Sequence, residues 1–109
     1  MSITVNIYYS GTGDNARKFA EEMENSGTAA IRREEGNIRY DYFFPMKDSE
    51  TVLLIDCWKD QSALDRHHAS PMMEKILKLR QKYDLHMKVE RYLSDETEIS
   101  QADRKFIKE

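Results

Sequence analysis

A chain of 109 residues holds one domain with a single core and leaves no room for a second. Charged residues make up 34% of it, yet 17 Lys and Arg against 20 Asp and Glu leave a net charge of −3, so no one-signed field draws in nucleic acid or anionic lipid. The longest apolar run inside an element, Val52-Leu53-Leu54-Ile55, falls far short of the roughly 18 residues of a membrane span, and the start MSITVN lacks the basic stretch of a secretion signal, so a soluble, cytoplasmic protein is expected.

In chain order, Ile3, Val5, Ile7 and Tyr9 alternate with Thr4, Asn6 and Tyr8, which predicts a strand over Ile3–Tyr9. The turn SGTGDN ends it. Ala16, Phe19, Ala20 and Met23 then recur at helical spacing opposite Glu21, Glu22 and Glu24, giving an amphipathic helix that stops near Gly27. Arg32, Arg33, Glu34 and Glu35 read as a solvated loop, placed where it could also cap a pocket. After the turn EEGN, the stretch IRYDYFF alternates up to Pro45 and predicts a second strand, Asn37–Phe44. TVLLIDCW predicts a third, Thr51–Trp58, apolar on both faces and therefore covered on both sides.

From Asp60 the pattern is helical again. Ala63 and His67 lie four apart, as do Leu64 and His68, so the two histidines extend one apolar stripe. Ser70 before Pro71 reads as an N-cap with proline at the first helical position, and Met72, Met73, Ile76, Leu77 and Tyr83 continue an apolar face. LHMKVERYL predicts a fourth strand, Leu85–Leu93. The polar tail, residues 94–109, has room for a short helix over Ser100–Ile107 that would pack on an assembled dimer through Phe106 and Ile107. The lone Cys57, in a strand, suits a small buried hydrophobe and excludes an internal disulfide; with three histidines beside it, a structural zinc site is not expected.

The order of elements gives an α+β class: a ferredoxin-like four-stranded antiparallel sheet with helices on one face, formed by residues 1–93. Helices cover only one side, whereas the third strand is apolar on both and the second carries aromatics on both. A second copy is the simplest cover, so a homodimer with sheets packed face to face is expected.

Several side chains then stand out as chemistry. Tyr40 and Tyr42 share a face of the second strand, and Asn6 and Tyr8 share a face of the first; aromatic walls with a few polar groups suit a flat phenolic ligand, although aromatics in strands also serve as core or interface. Asn6, an amide on a half-buried strand, needs partners, either a substrate oxygen or neighbouring backbone. Trp58 ends its strand as a pocket mouth or a hydrophobic plug. His67 titrates near neutrality and either acts as a base or bonds a backbone carbonyl at its helix end. His68 points about 100° away from it, so the pair does not chelate one metal. Met72 and Met73 read as helix core with a lining role.

EEGNIRYDY (Glu34–Tyr42), LLIDCWKDQSALDRHHASP (Leu53–Pro71) and Asn6 together resemble the antibiotic biosynthesis monooxygenase family, dimeric α+β barrels that include small quinol monooxygenases needing no cofactor. Glu35, Gly36 and Tyr40 match its Glu-Gly-x-x-x-Tyr stretch. Asp56, Trp58, His67, Ser70 and Pro71 match its acid-x-Trp/Tyr and its histidine before Thr/Ser-Pro. Where many quinol-oxidising relatives carry a second histidine after that proline, this chain has Met72. The haem-degrading branch of the superfamily has a tryptophan in the middle helix and a haem-ligating histidine about ten residues after it; with the chains aligned from Trp58, the tryptophan position falls on His67 and the ligand position on Leu77, which disfavours haem oxidation.

The resemblance implies a small aromatic substrate and molecular oxygen as partners, no flavin, haem or metal, His67 as catalytic base, and Asn6, Tyr8, Tyr40, Tyr42, Trp58, His68 and Met72 as substrate-binding residues. A non-catalytic dimeric small-molecule-binding module and an isomerase of a small hydroxy-carbonyl compound are the competing readings. An RNA-binding module of the same strand order is set aside, because TVLLIDCW is aliphatic and the chain acidic.

Overall fold

The computed structural model describes residues 1–109. Its elements are β1 (Ile3–Ser10), α1 (Asn15–Ser26), α2 (Thr28–Arg32), β2 (Asn37–Phe43), β3 (Thr51–Trp58), α3 (Gln61–His68), α4 (Met72–Lys82), β4 (His86–Leu93) and α5 (Gln101–Arg104). The four strands form one antiparallel sheet in the order β2-β3-β1-β4, so the expected ferredoxin-like topology is present. No helix is long and apolar enough to cross a membrane.

Alternation along β1 decides what each sheet face carries. Ile3 and Tyr9 are buried under the helices, with Val5 and Ile7 packed against the same core. Their register partners on β3, which include Leu54, Asp56 and Trp58, share that face. The helices complete the core with Phe19 and Met23 of α1, Ile31 of α2, Ala63 and Leu64 of α3, and Ile76 and Leu79 of α4. On the opposite face, Asn6, Tyr8, Leu53, Ile55 and Phe43 have no helix above them, and Phe43 is 38% exposed.

Three local features differ from expectation. Beyond Gly27 the chain makes a further turn, α2, which buries Thr28 and Ile31; five residues are too few to carry a helical period. A bulge at Ile38 shifts the β2 register, leaving Ile38 58% exposed while Tyr40 and Tyr42 face the helices. Ser70 does not cap α4 with its side chain. It sits in the short link between α3 and α4, where its N–H donates to the His67 carbonyl and its own carbonyl accepts from Met73 N–H, leaving the hydroxyl buried without a partner. Pro71 does take helical angles, φ −60° and ψ −23°, as a first-turn proline should. The side-chain cap falls on α3 instead, where Asp60 accepts from Ala63 N–H at 2.8 Å.

The start of the tail is tied to the residue before β1 through Ser94 N–H, which donates to the Ser2 carbonyl at 3.0 Å. Its helix is only α5, capped by the Ser100 hydroxyl, and leaves Phe106 80% exposed.

Candidate active site

A cavity of about 280 Å³ opens between the sheet and the α3–α4 pair, close to the lower end of the range of ligand pockets. Val5, Asp56 and Tyr40 lie side by side across β1, β3 and β2 and form its floor, with Ile7 and Tyr9 beside them. Leu64, His67 and His68 of α3 and Met73, Ile76 and Arg80 of α4 make the roof. Met87, Val89 and Arg91 of β4 form an open side, because no helix lies over this edge strand.

His67 is 2% exposed and packs flat on Trp58, ring centroids 4.8 Å apart and planes 25° from parallel, with the Tyr40 ring edge-on at 6.0 Å. Its Nδ1 lies 3.0 Å from Glu34 Oε1, a side-chain partner where a backbone carbonyl was the ordinary alternative. Burial lowers the His67 pKa below 6.5, with the Glu34 contact opposing the shift. The ring is therefore neutral at neutral pH. A carboxylate can only accept, so the proton sits on Nδ1 and the Nε2 lone pair is free to take up a proton. Glu34 reaches this position because Gly36, at φ +83°, lets the chain pass close to α3; a Cβ there would lie 2.5 Å from Ala63 Cβ.

Trp58 has no exposed surface and acts as the plug behind His67, its Nε1–H donating to Asp56 Oδ1. Asp56 is 3% exposed, and burial pushes its pKa up to about 7, against the Trp58 hydrogen bond and with some help from Glu34. Folding therefore favours proton uptake between the ordinary 3.8 and about 7, so stability declines as pH rises through that window and stays reduced above it. Asp56→Asn keeps an oxygen for Trp58 and has no charge to desolvate. It is expected to be more stable than the parent at about pH 8, by up to about 4 kcal/mol, with the gain vanishing near pH 4; urea unfolding at both pH values measures the difference.

Of the residues singled out by sequence, His67, His68 and Tyr40 line this cavity. Tyr42 lies behind Tyr40, ring centroids 6.0 Å apart, with its hydroxyl buried and unpartnered. Met72 turns toward α1, where its Cε would meet a Cβ at Gly27 at 2.8 Å, and Met73 lines the cavity in its place. Asn6 and Tyr8 point to the other face of the sheet, since Val5 and Ile7 face the helices, so they do not converge with His67 within one chain. Asn6 Oδ1 is buried there without a partner. Glu34, Asp56 as a pocket carboxyl, Arg80 and Arg91 are the cavity residues that the sequence did not single out; of these only Glu34 and Asp56 carried a signal, as members of the charged loop and the acid-x-Trp pattern.

The profile of the antibiotic biosynthesis monooxygenase family matches residues 2–79 of the chain. SnoaB, a cofactor-independent oxygenase from Streptomyces nogalater, superposes with a TM-score of 0.73 at 16% identity, over 88% of this chain and 95% of its own. A conserved protein from Methanosarcina mazei gives 0.76 at 22% identity, over 87% and 94%. A conserved protein of unknown function from Bacteroides thetaiotaomicron gives 0.73 at 23%, over 84% and 95%. At such identities the superpositions establish a shared fold. A search of curated proteins returns no match.

Proposed function

Because the chain belongs to the antibiotic biosynthesis monooxygenase family, we propose that it oxidises a small quinol or phenolic aromatic with molecular oxygen, using no flavin, haem or metal. The observation that carries this reading is the largely apolar cavity between sheet and helices in which a buried, neutral His67 is oriented by Glu34. His67 Nε2 removes a phenolic proton. The resulting phenolate passes one electron to oxygen, and superoxide recombines with the ring radical at a ring carbon bearing hydrogen. The peroxide takes the proton back from His67, and loss of that ring hydrogen with cleavage of the O–O bond releases water and leaves a quinone carbonyl. One substrate and one O₂ thus give one quinone and one water. The apolar walls and Tyr40 keep bulk water from the anion and strengthen the polar contacts made to it.

The working unit is a homodimer of the domain formed by residues 1–93, with residues 94–109 packing on the dimer. What supports the dimer is the uncovered sheet face, where the Tyr8, Leu53 and Phe43 row is apolar and Asn6 Oδ1 is buried without a partner. Leu53→Asp places a charge in that row. Sedimentation is expected to change from twice the 12.9 kDa chain to a single chain, and a parent that sediments as one chain at micromolar concentration contradicts the dimer.

The activity itself is tested by oxygen uptake of metal-free protein with reduced naphthoquinols and anthrone-like phenols, corrected for spontaneous oxidation. Saturable uptake is expected; turnover of a hydroxy-carbonyl compound without oxygen, or binding with no uptake, contradicts it.

A further inference from the structure

The charges around the cavity are unevenly placed. Asp56 is the one carboxylate among the lining residues, and it lies on the floor near His67, whereas Arg80 of α4 and Arg91 of β4 stand on two sides of the open end. Neither arginine is matched to an acid. Arg91 donates to Gln61 Oε1 at 2.6 Å, and the Arg80 guanidinium rests against Met87 Sδ. By contrast, Arg32 of α2 and Arg39 of β2 are both paired with Asp41. In an acidic chain, two guanidinium groups without carboxylates at one pocket mouth form a ready anion clamp.

The strand register gives the clamp a reach. Asp56, Val5 and Arg91 are partners in one row across β3, β1 and β4. Two interstrand spacings place the Asp56 and Arg91 backbones about 10 Å apart, a length suited to two fused aromatic rings lying over Val5. One end of such a molecule meets His67 and the other the arginines.

Resting on the cavity reading above, we propose that the natural ligand is an aromatic acid: a one- or two-ring phenol carrying a carboxylate at the end remote from His67, held there by Arg80 and Arg91. The carboxylate takes no part in the oxidation. It sets which ring edge faces His67 and favours the acid over neutral phenols of the same shape.

Isothermal titration calorimetry with a hydroxynaphthoate and with the naphthol lacking its carboxylate tests this without any turnover. The parent is expected to bind the acid at least about tenfold more tightly than the naphthol, as charge-assisted hydrogen bonds to one carboxylate supply. The ratio should fall toward one in Arg80→Gln/Arg91→Gln and shrink with added salt. Equal affinities in the parent, a preference indifferent to both substitutions, or no binding of either probe overturns the proposal. Oxygen uptake with neutral quinols alongside equal binding would sink the anion clamp and leave the monooxygenase standing. Selective binding of the acid with no oxygen uptake by any quinol would do the reverse.

Discussion

Replacing His67 with alanine is expected to lower oxygen uptake at saturating quinol by about 100-fold or more, the contribution of a positioned general base. The expectation follows from the ring's surroundings: held by Glu34 at Nδ1, clamped against Trp58 and kept neutral by burial, His67 has one free basic nitrogen in a largely apolar cavity. Because the residue is buried, His67→Gln serves as the control for packing. It refills most of the volume without a titratable nitrogen and should be as inactive as alanine while unfolding closer to the parent. In the parent, the neutral fraction of His67 declines on acidification, so the rate should decline with a midpoint below 6.5. A His67→Ala enzyme with near-parental rates removes the base from the mechanism.

Trp58→Ala is expected to destabilise the protein by about 3–5 kcal/mol, comparable with the whole stability of a small domain. Trp58 has no exposed surface, supports the His67 ring and supplies the N–H that Asp56 accepts. Its loss opens a cavity and leaves a buried carboxyl without its donor. Trp58→Phe separates the two effects: most of the volume remains and only the donor goes, so a smaller loss of about 1–3 kcal/mol is expected in denaturant unfolding. Equal losses for the two variants would mean that the hydrogen bond, rather than the packing, dominates.

Strands were legible because period-two alternation is local; β3 occupies Thr51–Trp58 as its apolar run indicates, and β1 and β2 differ from expectation by one residue at an end. Helix α1 was equally clear, since Phe19 and Met23 repeat on one face. Convergence was harder to read. The alternation separates Asn6 from Val5 without saying which face the helices cover, and a β3 apolar on both sides offers no tie-break. Met72 and Met73 differ by one position on a helix, and only packing against α1 decides which of them turns from the cavity. The Glu34 contact joins residues 33 apart in sequence, and no local period reports such a pairing. His67 could be found because its residue type and its pattern before Ser70-Pro71 both point to it. Arg80 and Arg91 could not, since on a helix face and an edge strand they look like any solvated arginine.

The most direct test of the proposed chemistry is isotope labelling: metal-free protein turning over an anthrone-like phenol under heavy-isotope dioxygen, with the product analysed by mass spectrometry. One labelled oxygen in the new quinone carbonyl, with the other recovered in water, is the predicted result. Label absent from the product, with peroxide accumulating or the carbonyl oxygen drawn from solvent, would contradict oxygen insertion at this site.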